Sequence, residues 1–182
     1  GNVDAFYIES DGALLLSLSS DATLPDAGAV TDADILRFTP TQLGDTTAGS
    51  FALLLDGSDV GLDMSNEDID VIGRTADGKL FVSTTSDPLI PGVSGKRSDL
   101  FVFTPTSLGD TTSGSWSLLF DGSDVGLGDR LDVVLNENVD AAWLDVATGN
   151  LYLTVAGDFT TGAGLGGDRD DIFLCGSAIL SE

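Results

Sequence analysis

Three stretches of the chain share one pattern of apolar and polar positions: VDAFYIESDGALLLSLSSD at 3–21, IDVIGRTADGKLFVSTTSD at 69–87 and VDAAWLDVATGNLYLTVAGD at 139–158. Each is an apolar run, a turn and a second apolar run, which predicts a β-hairpin. Asp11-Gly12 and Asp77-Gly78 are strong turn signals, because Asp and Gly tolerate the positive φ that tight turns need. Gly149-Asn150 fills the same place in the third stretch. An acidic, glycine-rich loop follows each hairpin, and then a short apolar strand: DILRFTP at 34–40, DLFVFTP at 99–105 and DDIFLCG at 170–176. In the first two units a proline-bearing turn leads to a fourth strand, SFALLLD at 50–56 and SWSLLFD at 115–121. No segment carries a long helical period, so helix should be minor.

The pattern is an internal duplication. Residues 34–62 and 99–127 agree at 21 of 29 positions, sharing the frame D-x-x-x-F-T-P-T-x-L-G-D-T-T-x-G-S-x-x-L-L-x-D-G-S-D-V-G-L. DGSDVGL therefore occurs at 56–62 and again at 121–127, with no third copy. Such self-similarity marks a repeat architecture. The units run 1–66, 67–131 and 132–182, the last incomplete, within one repeat domain of 182 residues. Four, four and three strands predict an all-β fold of about 11 antiparallel strands in three four-stranded, blade-like repeats, the third without its last strand. Three blades are few for a closed propeller, and a two-sheet β-sandwich is the structural alternative. LDVV at 131–134 could add a strand or begin the third hairpin.

Charge narrows the partners. Thirty acids face seven bases, a net of -23, which repels nucleic acid and anionic membrane surfaces. No apolar run is long enough to insert in a membrane as a helix. Apolar content of 42% and a mean hydropathy of +0.20 separate the chain from disordered acidic tails. With one cysteine, Cys175, and no histidine, Cys/His zinc sites and His-based triads are excluded by count. The start at Gly1 rather than Met reads as a processed or trimmed product.

The units VDAFYIESDGALLLSLSSDATLP…DADILRFTP and VDAAWLDVATGNLYLTVAGDF…DDIFLC resemble the Asp- and Gly-rich, β-propeller-like repeats of large secreted surface proteins of bacteria. The resemblance covers nearly the whole chain and is one of repeat style. It implies an extracellular, non-enzymatic role beside adhesion or anchoring modules. The segment from Gly176 departs from the pattern.

Calcium is the leading cofactor, since it takes six to eight oxygens of the kind that Asp-, Gly- and Ser-rich loops supply. Between the second and third strands of the units the candidate ligands are Asp21, Asp32, Asp34, Asp87, Asp99, Asp158, Asp168 and Asp170. Between units they are Asp56, Asp59, Asp68, Asp70, Asp121 and Asp124, among further acids at Glu67, Asp129 and Asp140. The alternative role for each is turn capping through its own side chain. Three motifs carry little: GAGLGG at 162–167 precedes a strand rather than a helix, GDTTAGS and GDTTSGS lack the P-loop lysine, and the paired DTT triplets follow from the duplication. Trp116, Trp143, Tyr7 and Tyr152 could stack on sugars but sit at strand positions that favour core packing.

The sequence therefore reads as an extracellular, non-enzymatic structural protein, a surface-layer or fibre subunit. It would assemble with copies of itself through sheet edges, with calcium bridging acidic loops. The edge residues are Val3, Phe6 and Ile8 in the first strand, and Asp171, Ile172, Phe173, Leu174 and Cys175 in the last. The alternative is an adhesin or lectin-like, glycan-binding module of a secreted protein.

Overall fold

The structure, a computed structural model, describes residues 2–128 and 137–176. The possible strand at 131–134, Asp129 and the segment after Gly176 lie outside the described residues. The described residues are all-β, with only two single 3-10 turns among them, at Ser58–Val60 and Gly122–Val125. The first sheet holds β1 (Val3–Ile8), β2 (Leu14–Leu18), β5 (Ile35–Gln42) and β6 (Ala48–Leu55), in the order β1-β2-β5-β6. The second repeats it with β7 (Ile69–Arg74), β8 (Leu80–Thr84), β9 (Leu100–Ser107) and β10 (Ser113–Phe120). The third has β11 (Val139–Asp145), β12 (Asn150–Val155) and β15 (Phe173–Cys175). Every pairing within these sheets is antiparallel, and the described strands close into neither a barrel nor a propeller.

Those are the 11 expected strands. Four short ones join them: β3 (Ala22–Leu24) with β4 (Gly28–Val30), and β13 (Phe159–Thr160) with β14 (Gly166–Gly167), small hairpins inside the acidic loops. Two or three residues give too little alternation to announce a strand. The matching loop of the second unit, 85–99, contains none. The Asp-Gly turns also differ in detail. Glu9 N–H donates to the Ala13 carbonyl and Gly12 N–H to Glu9, so three residues rather than two make the loop, with Gly12 at φ 84. This is the turn-plus-bulge hairpin, which needs a left-handed residue only at its last position.

The core lies in two layers between three sheets, where a sandwich would have one, and a smaller cluster of Leu18, Val30 and Leu36 packs with Ala22 and Leu24 of the β3–β4 hairpin on the first sheet. The first layer joins the first sheet to the second through Leu15, Ile35 and Leu55 against Ile72, Phe101 and Trp116. The second joins the second sheet to the third through Phe81, Leu100, Val102 and Phe120 against Leu151, Leu153 and Phe173. Residues alternate along β9 between these layers, Phe101 to one and Leu100 and Val102 to the other, as a strand buried on both faces requires. The first strands β1, β7 and β11, each the edge strand of its sheet, lie side by side with β7 in the middle. Each pairing of a first strand with its neighbour shifts register near its second residue: Val3/Phe6, Ile69/Val71 and Val139/Ala141.

Candidate functional site

DGSDVGL is the joint between successive sheets. Asp34 is buried, and its two carboxylate oxygens accept the N–H of Thr31 at 2.7 Å and of Gly57 at 2.9 Å. Asp99 does the same with Lys96 at 2.7 Å and Gly122 at 2.8 Å. A Cβ on Gly57 would stand 2.2 Å from the Ala33 carbonyl oxygen, and one on Gly122 2.4 Å from that of Ser98. Gly61, at φ 91, is covered by Pro91 of the next unit, and Gly126, at φ 87, by Gly162. The motif thus needs glycine for close approach and aspartate for capping. Asp56 and Asp121 cap their own turns, each accepting the N–H and hydroxyl two residues on.

The GDTT turn of the second unit locks onto the first joint. Thr112 N–H donates to Asp59 at 2.8 Å, the Asp56 N–H donates to the Thr112 hydroxyl at 3.0 Å, and Gly109 N–H donates to Leu54 at 2.9 Å. Trp116 adds its indole N–H to the Val60 carbonyl at 3.0 Å. Glu9 and Arg74 pair across the same junction at 2.6 Å. Thr112 is buried, whereas its equivalent in the first unit, Thr47, is exposed; Asp124, the equivalent of Asp59, is exposed too.

The candidate calcium ligands therefore occupy different settings. Asp34, Asp99, Asp56, Asp59 and Asp121 hold backbone donors of the joints. Asp87 accepts from Arg97 N–H and Asp168 from Asp170 N–H, both at the surface. Asp158 and Asp170 are exposed, and Asp170 lies 3.8 Å from Arg169. Among the described residues no three acids converge closely enough to hold a metal ion directly. Asp21, Asp32, Asp68 and Asp70, however, belong to one electrostatically linked series with Asp4 and Asp140. Burial raises the Asp32 carboxyl above its ordinary range, with further rises from Asp68 and Asp21; burial and Asp32 raise that of Asp4. Asp70 is pushed up to about 7, mainly by burial, with Asn138 lowering it and Asp4 and Asp140 raising it. Asp68 Oδ1, Asp70 Oδ1 and Asn138 Oδ1 are buried without hydrogen-bond partners.

At the next junction Arg97 and Asn138 stand where this one has Asp32 and Asp68. The matching bonds are Ile69 N–H to Asp32 and Val139 N–H to Arg97, then Thr85 N–H to Asp68 and Ala156 N–H to Asn138. The two junctions thus share a backbone and differ in charge.

Sequence reasoning missed Asp4 and Glu137, and named Glu67, buried like Glu137, only among the further acids. Glu67 accepts the N–H of Met64 and Leu89, and Glu137 those of Gly128 and Thr160. The signal was present: N-E-D-I-D at 66–70 matches N-E-N-V-D at 136–140, and V-D, I-D and V-D open the three hairpins.

The outer faces of the stack complete the picture. On the first sheet Phe6 is 64% exposed, although its equivalent Ile72 is 3% exposed in the first core layer. Phe38 and Phe51 stack at 4.8 Å on this face, as Phe103 and Trp116 do inside the layer. On the third sheet Ile172 and Leu174 are 73% and 52% exposed, although their equivalents Leu100 and Val102 are buried. Trp143 is exposed and stacks on Tyr152 at 5.3 Å. Val3 and Ile8 are also exposed, as is Asp171, while Phe173 and Cys175 face the core. No described helix is long and apolar enough to cross a membrane. Compared with known proteins, the chain matches no family model, no curated protein and no solved structure, so a functional reading has to rest on its repeats and their geometry.

Proposed function

We propose that this chain is an extracellular structural module that assembles head to tail with copies of itself into a surface layer or fibre, with calcium taken up by its acidic junctions. The observation that carries the reading is the pair of exposed end faces. Phe6 and the Thr47 turn face outward from the first sheet, and each has an equivalent that the second sheet buries against the first. Ile172 and Leu174 face outward from the third sheet, and their equivalents lie in the layer between second and third. The third sheet of one copy is therefore suited to the first sheet of the next, continuing the packing already used twice within the chain. Two unlike surfaces that match each other make a heterologous contact, which closes a ring or runs on as a filament. The blade-like unit fits that stacking, because such a sheet must cover both faces.

The test is the mass in solution, by light scattering, of the wild type and of Phe6→Ser and Leu174→Ser. Each variant should lose self-association at least about 30-fold, the effect of a 2 kcal/mol interface anchor. Mixed one to one, the two variants should form a dimer, because each keeps the end that the other lacks. A wild type that stays monomeric at high concentration, with and without calcium, would overturn the reading. Binding of that monomer to a glycan array would favour the second reading, a glycan-binding module, for which the exposed Trp143, stacked on half-buried Tyr152, is the supporting observation.

A further inference from the structure

A cavity of about 130 Å³ lies where β1, β7 and β11 meet, lined by residues 4–6, 70–72 and 140–142. The three strands contribute equivalent positions, and the first of each trio is an aspartate: Asp4, Asp70 and Asp140. The register shifts around these residues are local bulges, a device that re-aims a side chain out of its ladder. Asp70, in the middle, is only 7% exposed. Its Oδ2 accepts from the Asn138 amide at 2.6 Å, and its Oδ1 has no partner at all. Asp4 and Asp140 stand at the exposed flanks, and Asp140 Oδ1 takes the Thr154 hydroxyl at 2.6 Å. No lysine or arginine lines the cavity.

We propose that this cavity binds one hard divalent cation of the calcium class, with Asp70 Oδ1 as its direct ligand and Asp4 and Asp140 as ligands through bridging water. A buried acceptor without a donor is costly, and a cation supplies what the surrounding protein does not. The donors are all oxygen, which selects calcium- or magnesium-like ions over soft metals. The volume admits an ion with a few waters, at roughly 30 Å³ each. Because the three carboxylates do not converge on one point, most ligands are water. The affinity then belongs with weak extracellular sites, with a Kd of about 10⁻⁴–10⁻³ M. The site lies on strands, away from the turn-capping acids, and does not depend on self-assembly.

Calorimetric titration of the full chain with calcium chloride at pH 8 tests this. The wild type should bind one more ion than Asp70→Asn, whose amide keeps the shape and the bond from Asn138. Asp140→Asn should weaken that same event several-fold, and Asp110→Asn, a change at a remote exposed turn, should leave it intact. Should Asp70→Asn fold poorly by circular dichroism, Asp4→Asn carries the same test. Equal stoichiometry and affinity in wild type and Asp70→Asn would overturn the proposal, as would the absence of any calcium binding at 5-fold above the expected Kd range.

Discussion

Replacing Asp70 by Asn removes a titrating group from the junction of the second and third sheets while keeping its size and its bond from Asn138. Burial holds the Asp70 carboxyl up to about 7, against 3.8 for the ordinary group. Between those values the folded chain holds a proton that the unfolded chain has released. Stability contributed by that proton is present at low pH and lost as pH rises through 7. Each pH unit in this window is worth about 1.4 kcal/mol, so Asp70 alone should cost the fold about 2–3 kcal/mol between pH 5 and pH 8. Asp70→Asn has no such loss. Its stability relative to the wild type should therefore rise by about that amount across the same range. Urea unfolding followed by the fluorescence of buried Trp116, at four pH values with chelator present, gives the difference directly. The chelator matters, because a bound cation would hold Asp70 ionised and mask the effect. A gap between the two proteins that stays constant to within about 0.5 kcal/mol from pH 5 to pH 8 would refute the reasoning, since the carboxylate would then be solvated.

Two further substitutions separate joint chemistry from surface chemistry. Asp99→Ala strips the Lys96 and Gly122 N–H groups of their acceptor and should cost about 2–4 kcal/mol in urea unfolding, whereas Asp171→Ala, exposed and accepting only from Asp168, should cost under about 1. Gly61→Ala meets Pro91 at 2.4 Å as well as a φ of 91 and should cost about 2–4 kcal/mol, while Gly78→Ala, at φ 82 with open space around it, should cost only the strain of about 1–2.

The fold was legible where the sequence repeats itself. The hairpin segments and the shared 29-residue frame place ten of the eleven strands of the three sheets, and the likeness of DDIFLC to DLFVFT places β15, because alternation and turn residues are local signals. The joint was visible as a repeat but not as chemistry. Asp34 caps a glycine 23 positions away and Asp59 a threonine 53 away, and no local rule predicts such a partner. Acid count was misleading for the same reason: thirty acids look alike in a sequence, and only burial separates Asp70 from Asp87. The exposed end faces were only partly legible. Phe6 and Leu174 lie on edge strands, as strand order alone suggests, but their exposure gains meaning only from the burial of Ile72 and Val102 at the same positions of the second unit.

That comparison also bears on how copies would join. An open strand edge offers backbone groups, and every sheet here has such edges, so an edge alone does not choose a partner. A side-chain face does choose. The first sheet shows Phe6 and the third Ile172, Leu174 and Trp143, and the second sheet buries the counterparts of Phe6, Ile172 and Leu174 against its neighbours. Charge acts against repeated contact, since each copy adds -23. Beyond the partly buried Glu9–Arg74 bond, the first junction sets Asp4, Asp32 and Asp68 together. Screening shortens the repulsion between copies to about 10 Å at 0.1 M salt, and a divalent ion neutralises it locally. Assembly should therefore strengthen with added monovalent salt and strengthen further, at equal ionic strength, with calcium. The first response follows from net charge alone; the second requires cations bound at particular carboxylates, so comparing the two separates a solvated acidic coat from acidic groups that bind.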